Sequence, residues 1–176
     1  DMVLVCQSSK DKYLKCINCG FWECRTLHDK EIYASYDDYS VGDDSYIDDR
    51  ETRVKEATRI LRHKFNCLRK NYDIKSFLDI GCSEGFYVEA ASRLGLDSCG
   101  IDVPSSNNDR CRDLGLNVIS TDEKLPERDF DFLLLRHTIE HIPFFIDVIQ
   151  NYLSLLSDNG VLCIETPNQD GLFLSL

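Results

Sequence analysis

Phe77-Leu78-Asp79-Ile80-Gly81-Cys82-Ser83-Glu84-Gly85 is an apolar run that breaks into small residues and then leads into a helix-like pattern. That succession predicts a strand, a tight turn and a helix start. Gly81, Ser83 and Gly85 fall two apart, so the backbone can turn sharply and let a ligand approach where a large side chain would block it. A dinucleotide fingerprint needs its third glycine three residues after the second small position. Phe86 stands there instead, which argues against a nicotinamide cofactor.

Asp79 precedes the turn, and Asp102 ends the next apolar run, Ser98-Cys99-Gly100-Ile101. The separation is the roughly twenty residues at which a ribose-binding carboxylate is expected. A carboxylate beside the turn repels a pyrophosphate but suits an ammonium group. The charges therefore favour the cationic methionine end of S-adenosylmethionine.

The composition bounds what else the chain can be. With 176 residues, 43% of them hydrophobic, it can bury one core and carry a small accessory module. A net charge of −11 makes a nucleic-acid backbone an unsuitable partner and points to a small molecule or a basic protein. Of the nine cysteines, Cys67, Cys82, Cys99, Cys111 and Cys163 sit singly in strand-like or helix-like patterns, which fits buried thiols and a reducing cytoplasm. No run approaches the ~18 apolar residues of a membrane span, so a soluble protein without a membrane partner is expected. Asp1 in first place suggests that the natural start lies upstream.

Three segments follow in order. Residues 1–28 hold Cys6, Cys16, Cys19 and Cys24 among alternating apolar and polar residues and predict a small β-ribbon. Cys16-Ile17-Asn18-Cys19-Gly20 has the spacing of a zinc knuckle, and Cys24 or His28 could complete a site; the alternative is a metal-free hairpin. Residues 29–51 interleave acids with Tyr33, Tyr36, Tyr39 and Tyr46 at no regular period, as either a solvated linker or a lid over a ligand. Residues 52–176 open with an amphipathic helix to Lys70, whose Val54, Ala57, Leu61, Phe65 and Leu68 recur at spacings of three and four. Beyond it, strands are expected at 75–80, 97–102, 116–120, 130–135 and 160–165, with helices at 85–95, 106–114 and 143–156. Such alternation predicts an α/β fold with a parallel sheet covered on both faces and a ligand beyond the strands' carboxyl ends.

From Ser76 onward the chain resembles the class I S-adenosylmethionine-dependent methyltransferases. The likeness rests on Leu78 to Gly85, Gly100-Ile101-Asp102, Leu125-Pro126, Phe130-Asp131-Phe132, Glu140-His141-Ile142, Asn159-Gly160 and Glu165-Thr166-Pro167-Asn168, and covers about residues 52 to 170. Ser83 stands where the family has its middle glycine. The resemblance implies a Rossmann-like doubly wound sheet of order 3-2-1-4-5, truncated after strand five because the family's last two strands are missing. The resulting open edge would be covered by Gly171 to Leu176 or, as the favoured expectation, by a second copy in a homodimer.

The resemblance also assigns roles. Asp79, Gly81, Cys82, Ser83, Gly85, Asp102, Val103, Thr121, Asp122 and His137 would hold S-adenosylmethionine, with Thr121-Asp122 at the adenine or else a plain loop. His141 with Glu140 matches the family's Glu-His pair, either as a base acting on the acceptor or as a brace for the loop before Pro143. Some relatives carry an N-terminal zinc ribbon, whose first pair falls on Val3 and Cys6 here, so Cys6, Cys16 and Cys19 are the candidate zinc ligands. The expected activity is methyl transfer to a small molecule such as a sugar; the alternative is a non-catalytic S-adenosylmethionine-binding partner subunit.

Overall fold

The computed structural model describes residues 2–7, 11–18, 22–26, 49–142 and 145–167. Strands β1 (Met2–Gln7), β2 (Asp11–Cys16) and β3 (Trp22–Thr26) form an antiparallel three-stranded ribbon. The main domain runs α1 (Arg50–Leu68), β4 (Ser76–Ile80), α2 (Phe86–Arg93), β5 (Asp97–Asp102), α3 (Ser106–Asp113), β6 (Val118–Ser120), β7 (Phe130–Arg136), a 3-10 turn (Ile139–His141), α4 (Phe145–Leu153) and β8 (Leu156–Glu165). Its five strands are all parallel in the order β6-β5-β4-β7-β8, the 3-2-1-4-5 arrangement that the family resemblance implies.

Parity along the strands sorts the core into two layers. Leu78, Ile80, Cys99, Ile101, Leu133 and Leu135 are buried with Tyr152 of α4. Phe77, Phe132 and Leu134 face the other way, onto Val54, Ala57 and Leu61 of α1 and Ala90 and Ala91 of α2. Val118 continues that second layer against Val88 of α2 and Cys111 of α3. Both faces are thus covered, which is why the central strands are continuous apolar runs rather than alternating ones.

Three boundaries differ from the sequence reading. Helix α1 begins at Arg50 rather than Thr52, because Arg50 reaches Glu89 of α2 at 2.8 Å and Glu51 pairs with Arg93 at 2.8 Å. Helix α4 stops at Leu153, where the chain turns so that Leu155 O accepts from Phe130 N at 2.7 Å. Strand β8 therefore starts at Leu156, and a bulge separates the Phe130↔Leu156 pair from the Phe132↔Val161 pair. Within the bulge a Cβ at Gly160 would lie 2.6 Å from Leu156 Cδ1, so Asn159-Gly160 is a kink inside the strand rather than a turn before it. The acidic residues 29–48, with their lid or linker reading, lie outside the described residues, as do Pro143, Asn168 and Gly171 to Leu176.

Candidate active site

The register places the site. Asp79 on β4 is level with Gly100 on β5 and with Leu134 on β7. Asp102 and Arg136 lie two residues further along those neighbouring strands, so all three side chains issue from one face, on either side of Asp79. Beyond them the chain leaves the sheet at the β4–α2 turn, at Val103, at Thr121 and at His137. These are the positions at which open α/β sheets bind ligands.

The β4–α2 turn is tight enough to need special backbone. Gly81 has φ +79° and Gly85 φ +72°, and Ser83, in the family's glycine position, holds φ +46°. A Cβ at Gly81 would sit 2.4 Å from the Thr138 side chain, so only glycine lets the turn pass the loop after β7. Gly81 N and Cys82 N both donate to Ile101 O, at 2.7 and 3.2 Å, and Gly85 N donates to Cys82 O at 2.8 Å. Ser83 N donates to Asp102 Oδ2, while Val103 N donates to Asp102 Oδ1 at 2.7 Å. These amides are spent inside the protein, which suits a ligand held by carboxylates and not a phosphate cradled by amides.

Asp102 is fixed by two backbone amides and still has lone pairs for paired hydroxyls. Burial raises its carboxyl above the ordinary carboxylate range, against the pull of the Ser83 and Val103 amides. Asp79 is only 4% exposed. Burial, with the Asp102 charge adding and Arg136 opposing, pushes its carboxyl up to about 8. Cys82 contributes differently from a ligand: its thiol is buried against Val88 and Cys111, and a Cβ at Gly100 would come within 2.6 Å of its sulfur.

The loop after β7 carries the second group. His137 adopts φ +52° with its ring half exposed, and Nδ1 lies 3.5 Å from Glu140 Oε1. Glu140 therefore faces His137, three residues before it. His141 is exposed, and its N donates to Thr138 O at 2.9 Å, closing the turn.

At the β6 end Thr121 N donates to Asp102 O at 2.8 Å, and Thr121 and Asp122 are exposed beside it. Glu123 braces this loop, accepting from Ser120 N at 3.0 Å and pairing with Arg112 at 2.8 Å. Asn107 Oδ1, Asn108 Oδ1 and Ser120 Oγ are buried without a hydrogen-bond partner on the wall between Ser83 and β6. Asn107, Asn108, Thr138, Arg136 and Glu165 adjoin these candidates without having been among them. Glu165 stood in one of the motifs that carry the likeness, and Arg136 shares parity with Leu134.

The donor set fits an S-adenosyl cofactor: two carboxylates on one face, a glycine turn with no room for a Cβ, and the buried unpartnered polar atoms of Asn107, Asn108 and Ser120. Of the expected zinc ligands, Cys6 lies on β1 opposite Tyr13 and Cys16 on β2 opposite Met2. Cys19 and His28 lie outside the described residues, among which no cluster of three or more His, Cys, Asp or Glu that could hold a metal occurs. No helix among the described residues is long and apolar enough to cross a membrane.

Fold and site together define a class I methyltransferase domain, and the comparison with known families agrees. The chain belongs to the family described as "Methyltransferase domain", whose model matches residues 51–175. It is 28% identical over 109 residues to a ubiquinone biosynthesis O-methyltransferase of Actinobacillus pleuropneumoniae serotype 7, covering 54% of this chain and 47% of that protein. The chain thus spans about half the length of the curated relatives it matches. The plantazolicin methyltransferase BpumL, solved with a pentazolic desmethylPZN analog and SAH, superposes with TM-score 0.56 at 22% identity over 80% of this chain and 53% of that one. The amino pentose methyltransferase CalS10 of Micromonospora echinaspora, solved with SAM, gives 0.55 at 16% identity over 82% and 59%. At these identities the likeness is one of fold.

Proposed function

We propose that the protein is an S-adenosylmethionine-dependent methyltransferase acting on a small molecule, a sugar or related hydroxylated metabolite being the favoured acceptor. The observation that carries this reading is the pair of carboxylates, Asp79 buried and Asp102 partly buried, flanking a turn whose amides are already spent. When bound, the cofactor supplies a methyl group on a cationic sulfur. Asp102 holds the ribose hydroxyls, Thr121-Asp122 with Val103 border the adenine, and Asp79 accepts from the methionine ammonium. Gly81, Ser83 and Gly85 keep the backbone low enough for the cofactor to pass, with Cys82 packing the turn from beneath.

The chain's own contribution to rate is then mainly positioning. His137, held by Glu140, borders the methionine end, and His141, exposed on the same turn, removes the acceptor's proton. The amino-pentose activity in CalS10's name and the O-methyltransferase names of the curated relatives support a hydroxylated acceptor. A reducing compartment suits the free thiols of Cys67, Cys82, Cys99, Cys111 and Cys163.

Isothermal titration with S-adenosylmethionine or S-adenosylhomocysteine tests the reading; absence of both heat and thermal shift at millimolar ligand overturns it. Turnover over a panel of hydroxylated acceptors that is lost in His141→Ala, with cofactor affinity kept, supports the base. Binding without turnover on any acceptor would point to the non-catalytic partner subunit.

A further inference from the structure

Phe86 stands where a dinucleotide fingerprint would have glycine, and the first residue of α1 packs on it: the Arg50 guanidinium carbon lies 5.1 Å from the centre of the Phe86 ring. All three guanidinium nitrogens are committed. Nε and Nη2 donate to Glu89 Oε2 at 3.0 and 2.8 Å, and Nη1 donates to Glu84 O at 2.9 Å. The Arg50 side chain is 23% exposed and that of Glu89 19%, so water and salt screen this pair less than one on open surface. Glu89 Oε1 in turn accepts from Arg93 at 2.6 Å, and Arg93 also reaches Glu51. Two arginines thus join α1 to α2, and of the two it is Arg50 that extends to the cofactor turn.

The carbonyl it holds occupies a sensitive place. Glu84 lies between Ser83 at φ +46° and Gly85 at φ +72°. Glu84 O and Gly85 N belong to one peptide plane. Arg50 donates to that oxygen while Gly85 N donates to Cys82 O at 2.8 Å, so the plane is pinned on both sides. Rotating it, the easiest rearrangement for a chain with glycine on one flank, would break both bonds together. Asp102 on β5 holds the peptide before Ser83, and Arg50 on α1 holds the peptide after Glu84. Left-handed backbone is unfavourable for serine, so the turn needs such restraints to keep its shape.

We infer that Arg50 is a positioning residue for cofactor binding: from α1 it holds the peptide between Glu84 and Gly85, and with it the arc from Ser83 to Gly85, in the shape the cofactor meets, without touching the cofactor itself. The inference rests on the cofactor reading and deepens it, by making the shape of the turn depend on the start of α1. A chain without Arg50 should keep its core, since Val54, Ala57 and Leu61 carry α1 onto the sheet. Its turn would visit other shapes, and binding would have to select the competent one. Arginine suits the place because its planar fork serves a carboxylate and a carbonyl together, whereas lysine offers a single point charge.

Arg93→Gln is the control, because it breaks the same network between α1 and α2 and leaves the Glu84 contact in place. Titration of the full chain with S-adenosylhomocysteine should show a loss of roughly three- to tenfold in Arg50→Gln, as for a turn that holds the competent shape only part of the time. Arg93→Gln should bind as wild type does, although both variants melt earlier. Hydrogen exchange followed by NMR should be faster at the Ser83 and Gly85 amides in ligand-free Arg50→Gln alone, with protection restored by saturating S-adenosylhomocysteine. Arg50→Lys, which keeps the charge beside Glu89, should lose less on both measures, and it decides the matter if Arg50→Gln does not fold. Wild-type affinity in the folded Arg50 variants, or an equal loss in Arg93→Gln, overturns the assignment while leaving the cofactor reading in place. Failure of the wild-type chain to bind S-adenosylhomocysteine overturns both.

Discussion

Asp79 makes cofactor binding depend on pH in a way that can be worked out. Its carboxyl is pushed up to about 8, by burial first and by Asp102 second. A group with that value is ionised to about 1% at pH 6 and about 9% at pH 7. Only the carboxylate form pairs with an ammonium, which itself stays charged over this range, so S-adenosylhomocysteine affinity should rise roughly ninefold between those two pH values. Close to one proton should leave per complex formed, seen as a titration heat that varies with the ionisation enthalpy of the buffer.

Stability of the ligand-free protein should move the opposite way. The unfolded carboxyl titrates near 3.9, so from about pH 4 to about pH 8 the folded chain holds a proton that the unfolded chain lacks. The stabilisation is complete below the lower value and is lost as pH rises through the upper one, with a slope of at most about 1.4 kcal/mol per pH unit. Asp79→Asn cannot ionise. It should flatten both curves, raise the melting temperature of the free protein at pH 8 and weaken S-adenosylhomocysteine. Wild-type affinity that stays flat from about pH 6 to 7 with no proton released, or an Asp79→Asn stability curve as steep as wild type, would refute the reasoning.

Gly81→Ala combines a left-handed backbone with a Cβ 2.4 Å from Thr138 and should destabilise by roughly 2–4 kcal/mol, measured by denaturant titration; a change under about 1 kcal/mol would show that the loop after β7 yields freely. Ser83→Gly relieves φ +46° and should stabilise by about 0.5–1 kcal/mol with cofactor affinity kept; a loss of stability would mean that the Ser83 hydroxyl, 3.5 Å from Asn107 Nδ2, matters more than the strain. Strand β8 is the outer strand of the described sheet and leaves Ile164 42% exposed, so we propose a homodimer through this edge. Light scattering at micromolar protein should give twice the chain mass, and a persistent monomer would defeat the proposal.

The sequence by itself determined the alternation of strands and helices and a parallel sheet covered on both faces, while the strand order came through the family resemblance that its motifs carry. The elements depend on local signals: apolar runs of strand length, periodicity at three and four in α1, and small residues where the backbone must turn. Asp79 and Asp102 were legible for the same reason, since each ends or nearly ends an apolar run. Only the tertiary structure decided which side chains meet. Arg136 and Glu165 lie 29 residues apart, and nothing in either segment announces the other; parallel pairing of β7 with β8 brings them level and turns them to one face. His137 and Glu140 stand three apart, and the 3-10 turn brings Glu140 to His137. Spacing along a chain reports what one segment can do, while register between strands decides which segments do it together.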